Sequence, residues 1–465
     1  MEYLTRTLKN LQTHSTFKHY SRCKKLQLVQ LSFADDLLLF SRGDIESIKA
    51  LLECFQLFSK ASGLVANVEK SSIYFGGVSN AEQLLIIREL GFAKGELPFK
   101  YLGVPLSTKR TTVFQYKPLV DKILERIQSW IARFLSYAGR IQLIKSVLFS
   151  VQIFWSQVFI LPKKIVKVIE SLCRKFLWIG SVEPSKKALI AWETLCLPKS
   201  ACGLNLLDIQ TWNKAAISKM LWNLCMKKDK KWIQWVHSYY IKGGSVWETQ
   251  AKQASWIIRK ILKANLTVAA AGYEEQDLIQ MQQYSIKTMY LKLRGVYAKV
   301  HWRRLVCNNL GAPKWTFILY LAISRRLLTT DRLGKWGMIE DQKCPLYDDA
   351  NETTDHLFFG CSYSTDVWKS LLIWQGISRS LMEWNEEIDW AVTNARGRAA
   401  GSILCRMILA CGVYCIWAER NLRVFQTKTR PARDVIRQVI QDVYCKAYMK
   451  SSLHKKLSQL DFYPH

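Results

Sequence analysis

Residues 30–40 read QLSFADDLLLF: two adjacent aspartates, Asp35 and Asp36, stand between apolar runs that hold Leu31 and Phe33 on one side and Leu37 to Phe40 on the other. Apolar residues alternate through LQLVQLSF and then run together in LLLF, so residues 24–40 read as two short strands meeting at a tight turn with the acids at its tip. Aspartate is a favoured turn residue, and an Asp-Asp pair by itself reads as a polar turn. The neighbouring segments argue for more. IESIKALLECFQLFSKASG sets Ile45, Ile48, Leu51, Leu52 and Phe55 at helical spacing with Gly63 just past the end, an amphipathic helix with a glycine stop. VANVEKSSIYFGG then reads as a strand closed by Gly76 and Gly77. Strand, strand, helix, strand suits a small α+β layer. Two carboxylates this close oppose each other's ionisation unless a divalent cation neutralises them. A tip fixed by apolar strands suits a metal site for phosphoryl transfer, and the setting points to a nucleotidyl-transfer palm, which takes at least a third carboxylate.

The rest of the composition agrees with such a partner. With 67 Lys and Arg against 37 Asp and Glu, the formal net charge of +30 calls for a polyanion, nucleic acid first and an anionic membrane surface second. A length of 465 residues with 49% hydrophobic residues provides for two to four packed domains and excludes a disordered chain. The 13 cysteines are scattered rather than regularly spaced, which favours a reducing compartment, and the N-terminal stretch has no apolar core of a signal peptide. The most lipid-like segment, Ser146 to Leu161, is broken by Ser150, Gln152, Ser156 and Gln157 and falls short of the ~18–20 apolar residues of a span. It reads as a buried helix, and no membrane is expected as a partner.

From Tyr116 onward the period is helical. Leu119, Ile123, Ile127, Trp130, Ile131 and Phe134 mark one apolar face; Ile165, Ile169, Leu172, Cys173 and Phe176 mark another. Among them lie Lys122, Arg126, Arg133, Arg140, Lys145, Lys163, Lys164 and Lys167. Taken one helix at a time these are ordinary solvated faces; summed over the chain they point to phosphate contact. Residues 226–260 are basic and tryptophan-rich and break at Gly243 and Gly244, which marks a domain boundary.

FADDLLLF resembles the catalytic hairpin of plant non-LTR (LINE-type) retrotransposon reverse transcriptases, and SGLVANVEKSSIYF resembles the segment that comes after it there. The likeness continues through LPFKYLGVPLS, LSYAGRIQLIKSVL, FLWIG and CLPKSACGLNLLDIQTWNKA to the reverse-transcriptase zinc-binding region, LLTTDRLGKWGM and CPLYDDANETTDHLFFGCSYSTDVW, and to IWAERNLRVFQ. The resemblance implies an α+β, mostly helical chain: the C-terminal part of a reverse transcriptase palm at 1–105, a basic helical thumb or connection region at 106–230, a linker at 231–289, a zinc-binding-like domain at 290–375 and a helical tail at 376–465. It makes Asp35 the principal Mg²⁺ ligand and Asp36 its neighbour, and puts Lys70 near the leaving pyrophosphate, a position whose plain alternative is an exposed lysine at a strand end. The partners implied are RNA and DNA as template and primer, and with them an intracellular, nuclear location.

The same resemblance implies what is missing. The family's palm draws another metal-binding aspartate from an upstream strand, and Glu2 is the only acid before Asp35. The chain therefore reads as a truncated palm edge, inactive as a polymerase by itself, and no further acidic constellation suggests a ribonuclease H domain. In the zinc region the family pattern resembles C-x-x-C, an acidic stretch, H-L-F and a final Cys. Cys344, His356 and Cys361 are in place, but Tyr347 stands where the second cysteine belongs. A Zn²⁺ site would then have three ligands, completed by water, Asp348 or Asp355; the alternative is a helical domain packed by Leu357, Phe358, Phe359, Val367 and Trp368 around free thiols. Three functions fit: a polymerase-inactive reverse transcriptase fragment that binds nucleic acid, a non-enzymatic basic RNA- or DNA-binding or interaction protein derived from a retroelement, and an enzyme completed in trans.

Overall fold

Of the hairpin expected over residues 24–40, the part from Gln30 onward forms, whereas Lys24–Leu26 is a 3₁₀ turn. β1 (Gln30–Phe33) pairs antiparallel with β2 (Asp36–Leu39), Phe33 opposite Asp36, which leaves Ala34 and Asp35 as the two turn residues. Ala34 sits at φ +50°, a left-handed conformation that costs a non-glycine residue energy and that the first central position of a two-residue hairpin requires. Four-residue strands are marginal alone. Here one face is buried: Leu37 and Leu39 pack on a core built by Leu4, Leu8 and Leu11 of α1 (Glu2–Leu11) and Cys54 and Phe58 of α2 (Ile45–Ser62). The other face is open, with Phe33 61% exposed. The computed structural model describes residues 2–11, 16–101, 103–107, 112–131, 135–181, 188–226, 229–347 and 350–460. The side chain of Ile131, and Arg133, Phe134 and Asp348, all singled out above, lie outside the described residues.

α2 begins and ends as its sequence predicts. Asp44 accepts a hydrogen bond from the Ser47 N–H at 3.0 Å, and Gly63 closes the helix at φ +71°, where a Cβ would be strained. The strand expected over VANVEKSSIYFGG is largely replaced. The Asn67 side chain accepts from the Lys70 N–H at 3.1 Å and Ser71 donates to the Asn67 carbonyl at 2.7 Å, so Val68–Lys70 becomes a 3₁₀ turn. These local bonds give the backbone an alternative to a ladder. Only β3 (Ser72–Ile73) remains extended, and it pairs in parallel with β4 (Ala93–Lys94), across α3 (Asn80–Leu90), rather than with the hairpin. A third pair, β5 (Phe99–Tyr101) and β6 (Val104–Leu106), is antiparallel. The α+β, mostly helical class holds, at 61% helix and 5% strand.

The chain folds as two compact units. The first comprises Met1–Lys117, Ser156–Ile160 and Thr211–Arg294. In it Asn213 donates to the carbonyls of Ser156 (2.7 Å) and Phe159 (2.8 Å), and the Tyr284 hydroxyl donates to the Ala215 carbonyl (2.9 Å), which ties segments distant in sequence. The second comprises Pro118–Trp155, Leu161–Gln210 and Gly295–His465. There Leu119, Ile123 and Ile127 are fully buried, as are Ile169 and Cys173, and the rings of Trp130 and Phe176 lie 5.7 Å apart, so both apolar faces read from the sequence are core. Its central element is the helix Ala400–Gln426, packed against Pro313–Ile323 and Ala432–Ala447. At Gly412 an added Cβ would meet Leu371 at 3.4 Å and Trp368 at 3.8 Å, the close approach that lets that helix pack.

Among the described residues two helical stretches, Tyr137–Val158 and Ala400–Gln426, are long and apolar enough to cross a membrane. The second, 67% buried in its apolar window, carries the buried charges Arg406, Glu419 and Arg420 and packs as a core helix. The basic residues divide into two kinds. Lys122, Arg126, Lys163, Lys164 and Lys167 are exposed, whereas Arg140 donates to the Leu177 carbonyl (3.2 Å) and Lys145 to the Leu204 carbonyl (2.5 Å). Burial, with Lys199 nearby, pulls the Lys145 ammonium down to about 8. These two residues act as tethers rather than phosphate ligands.

Glu170, on the helix Lys163–Trp178, is pushed up to about 7 by burial and by Asp208 and Glu193. Its folded-state value lies above its ordinary 4.5, so the folded protein holds the proton longer than the unfolded chain. Stability should therefore fall as pH rises from about 4.5 through about 7 and flatten above that. Glu170→Gln should remove that decline; melting temperatures of the variant and the parent measured across this window should converge at the acid end and separate, with the variant higher, at pH 8.

Candidate metal centre

Asp35 and Asp36 lie at the exposed tip of the β1–β2 hairpin. Among the described residues no third carboxylate, histidine or cysteine joins them within 4.8 Å, and no hydrogen bond or ion pair links them to Lys70, which is exposed at the end of its 3₁₀ turn.

The second candidate is built differently. Lys343 bridges Asn351, and the Cys344 N–H donates to the Ala350 carbonyl at 2.9 Å, so the segment turns back on itself and brings Cys344 toward the residues after the turn. His356 opens a π-helical turn, His356–Gly360, closed by the Cys361 N–H donating to the His356 carbonyl at 2.6 Å. Cys361 in turn is the N-cap residue of the helix Ser362–Trp374, and the Thr365 N–H donates to its carbonyl at 2.8 Å. Ligand atoms of Cys344, His356 and Cys361 all lie within 4.8 Å of one another, with both cysteines buried and the histidine half-buried.

This geometry fits zinc. The two sulfurs are 4.0 Å apart, close to the ~3.8 Å edge of a tetrahedron with Zn–S bonds of about 2.3 Å. The hydrogen bond with Cys361, followed by the Tyr347 and Leu346 N–H groups, brings the Cys344 thiol down to about 6 against the effect of burial. Cys361 is pushed up by its hydrogen bond with Cys344 and by burial. A thiolate is thus favoured at Cys344, the form that binds metal. Among the described residues no fourth cysteine, histidine or carboxylate joins the three: Tyr347 is 57% exposed, and Asp355 is held by Arg325 through paired bonds of 2.9 Å.

Residues 284–368 match the family described as zinc-binding in reverse transcriptase. The chain is also 29% identical, over 157 residues, to an Arabidopsis thaliana protein provisionally named a ribonuclease H protein; the match covers 34% of this chain and 24% of that relative. The chain thus spans about a quarter of the relative's length. Together the two matches support a retroelement origin.

The segment that holds Cys344, His356 and Cys361 is gripped from outside the matched residues. Arg423 donates to the Leu346 carbonyl at 2.6 Å, fixing the turn after Cys344, and Arg420 makes two bonds, 2.7 and 2.8 Å, to Glu352, which lies between the ligands in sequence. Glu352 also accepts from the Thr330 N–H at 2.8 Å. Glu419 orders Arg423 (2.9 Å) and Arg430 (2.8 Å). None of these residues was singled out from the sequence; the ERN of IWAERNLRVFQ was the available sign, since acids and arginines inside so apolar a helix must be paired. A second sulfur cluster, Cys411 and Cys415 with Asp442, also went unread. There burial and a hydrogen bond with Cys415 push the Cys411 thiol up, which keeps it protonated and suits core packing.

Proposed function

We propose that this chain is a segment of a plant non-LTR retrotransposon reverse transcriptase that binds RNA and DNA, holds zinc through Cys344, His356 and Cys361, and does not polymerise DNA by itself. The observation that carries this reading is the convergence of those three ligands within the segment that matches zinc-binding in reverse transcriptase. Zinc, when bound, supplies a crosslink between the turn at residues 343–351 and the start of the helix Ser362–Trp374. Cys344 and Cys361 would give the thiolates and His356 the imidazole. The net charge of +30 supports nucleic acid as the partner, and a nuclear location is proposed with it.

Polymerase inactivity rests on Asp35 and Asp36. Two adjacent carboxylates without a third bind Mg²⁺ weakly and do not position two ions. Purified full-length chain should retain about one equivalent of zinc after dialysis and should not extend a primer on a template in Mg²⁺ or Mn²⁺. Zinc below about a tenth of an equivalent would remove the metal from the proposal. Template-dependent product that disappears in Asp35→Asn would remove the inactivity.

A further inference from the structure

The first unit carries a basic, aromatic surface that neither the hairpin nor the zinc-binding segment uses. The segment around Arg22, Lys24 and Lys25 lies against the segment that begins at Asp229 and contains the helix Lys231–Val236. Trp235 donates from its indole N–H to the Arg22 carbonyl (2.7 Å), Arg22 donates to the Tyr240 hydroxyl (3.0 Å), and the Lys25 ammonium lies 5.1 Å from the centre of the Tyr239 ring. The contact gathers six exposed cations: Arg22, Lys24, Lys25, Lys230, Lys231 and Lys242. The one acid in the two segments, Asp229, accepts from Gln234 at 2.8 Å.

Beside this ridge, on the same unit, is a cleft of about 430 Å³. Ile257 and Ile261 give it apolar lining, Trp232 an aromatic surface, Gln157 and Asn223 two carboxamides, and Lys219 and Lys230 two ammonium groups; no carboxylate lines it among the described residues. Trp232 stands one helical turn from Trp235, so ridge and cleft share a helix. Each group matches a part of a nucleotide. An indole face stacks on any base, a carboxamide both donates to and accepts from base edges, and ammonium groups meet phosphate. The volume suits a single small ligand group, within the ~300–1,000 Å³ of ligand sites.

We propose that this cleft takes one base of a single-stranded RNA or DNA, stacked on Trp232, with the flanking phosphates on Lys219, Lys230 and the exposed Lys24 and Lys231 of the ridge. The inference rests on the nucleic-acid-binding reading above and adds a location and a preference for single strands. The test is fluorescence anisotropy of the full chain with a labelled homopyrimidine strand of about 16 nucleotides at several salt concentrations. Trp232→Ala should weaken binding about tenfold, while Trp232→Phe, which keeps a stacking face, should stay near the parent. The double variant Lys219→Gln, Lys230→Gln should reduce the slope of log affinity against log salt by about 1.4. A parent that binds no nucleic acid defeats the proposed function itself. A parent that binds, with Trp232→Ala and the lysine variant unchanged in affinity and slope, overturns the cleft alone, as does tighter binding of duplex than of the same single strand. Should Trp232→Ala fail to fold by circular dichroism, the lysine double variant decides, and an unchanged slope overturns the proposal.

Discussion

Arg420→Ala should lower the unfolding free energy of the second unit by about 3–5 kcal/mol, measured by urea denaturation. Glu352 is fully buried and Arg420 nearly so, and the pair is joined by two bonds of 2.7 and 2.8 Å. The guanidinium also lies 5.0 Å from the centre of the Trp417 ring and donates to Asn421 at 3.1 Å. Truncating the arginine leaves a buried carboxylate with one remaining donor, the Thr330 N–H, and that uncompensated charge dominates the loss. Replacing both partners, Glu352→Leu with Arg420→Met, should recover most of it, because no buried charge remains. Zinc retention should drop in Arg420→Ala and return in the double variant. A loss below about 1 kcal/mol in Arg420→Ala would place the pair among surface bridges, contrary to its burial.

How far the sequence could be read depended on whether a feature was local. The hairpin, the helix Ile45–Ser62 with its glycine stop, and the buried faces at Leu119–Ile127 and Ile165–Phe176 come from short-range periodicity, and all are present. The strand after Gly63 failed because one side chain, Asn67, offered the backbone nearer partners than a neighbouring strand could. Lys145 and Arg140 looked like surface charge because their carbonyl partners lie 59 and 37 residues away. The metal ligands were readable as a motif. Their support was not, since Arg423 reaches the turn at Leu346 across 77 residues and no spacing rule announces such a bond.

That support makes Tyr347→Cys the most informative change to the metal centre. The turn after Cys344 is fixed by its backbone: the Cys344 N–H donates to the Ala350 carbonyl, and Arg423 pins the Leu346 carbonyl. Residue 347 is thus held close to the first thiolate by backbone bonds that do not depend on its side chain. Tyr347 is 57% exposed, so replacing its phenol sacrifices little packing and the effect on metal is isolated from an effect on folding. A thiolate there would complete a four-coordinate set of three cysteines and a histidine, the arrangement of structural zinc sites. Loss of a mere outer-shell partner costs about 10–100-fold in metal affinity, so gain of a direct ligand should tighten zinc by at least about a hundredfold. Competition with a chromophoric chelator reads this directly, with Cys361→Ala as the variant expected to lose zinc. At a fixed zinc concentration the tighter site should also raise the melting temperature, since about 2.7 kcal/mol of stability accompanies a free metal concentration a hundred times the dissociation constant. An affinity unchanged by Tyr347→Cys would mean that the side chain at 347 points away from the cluster, and the open position would then be closed by water.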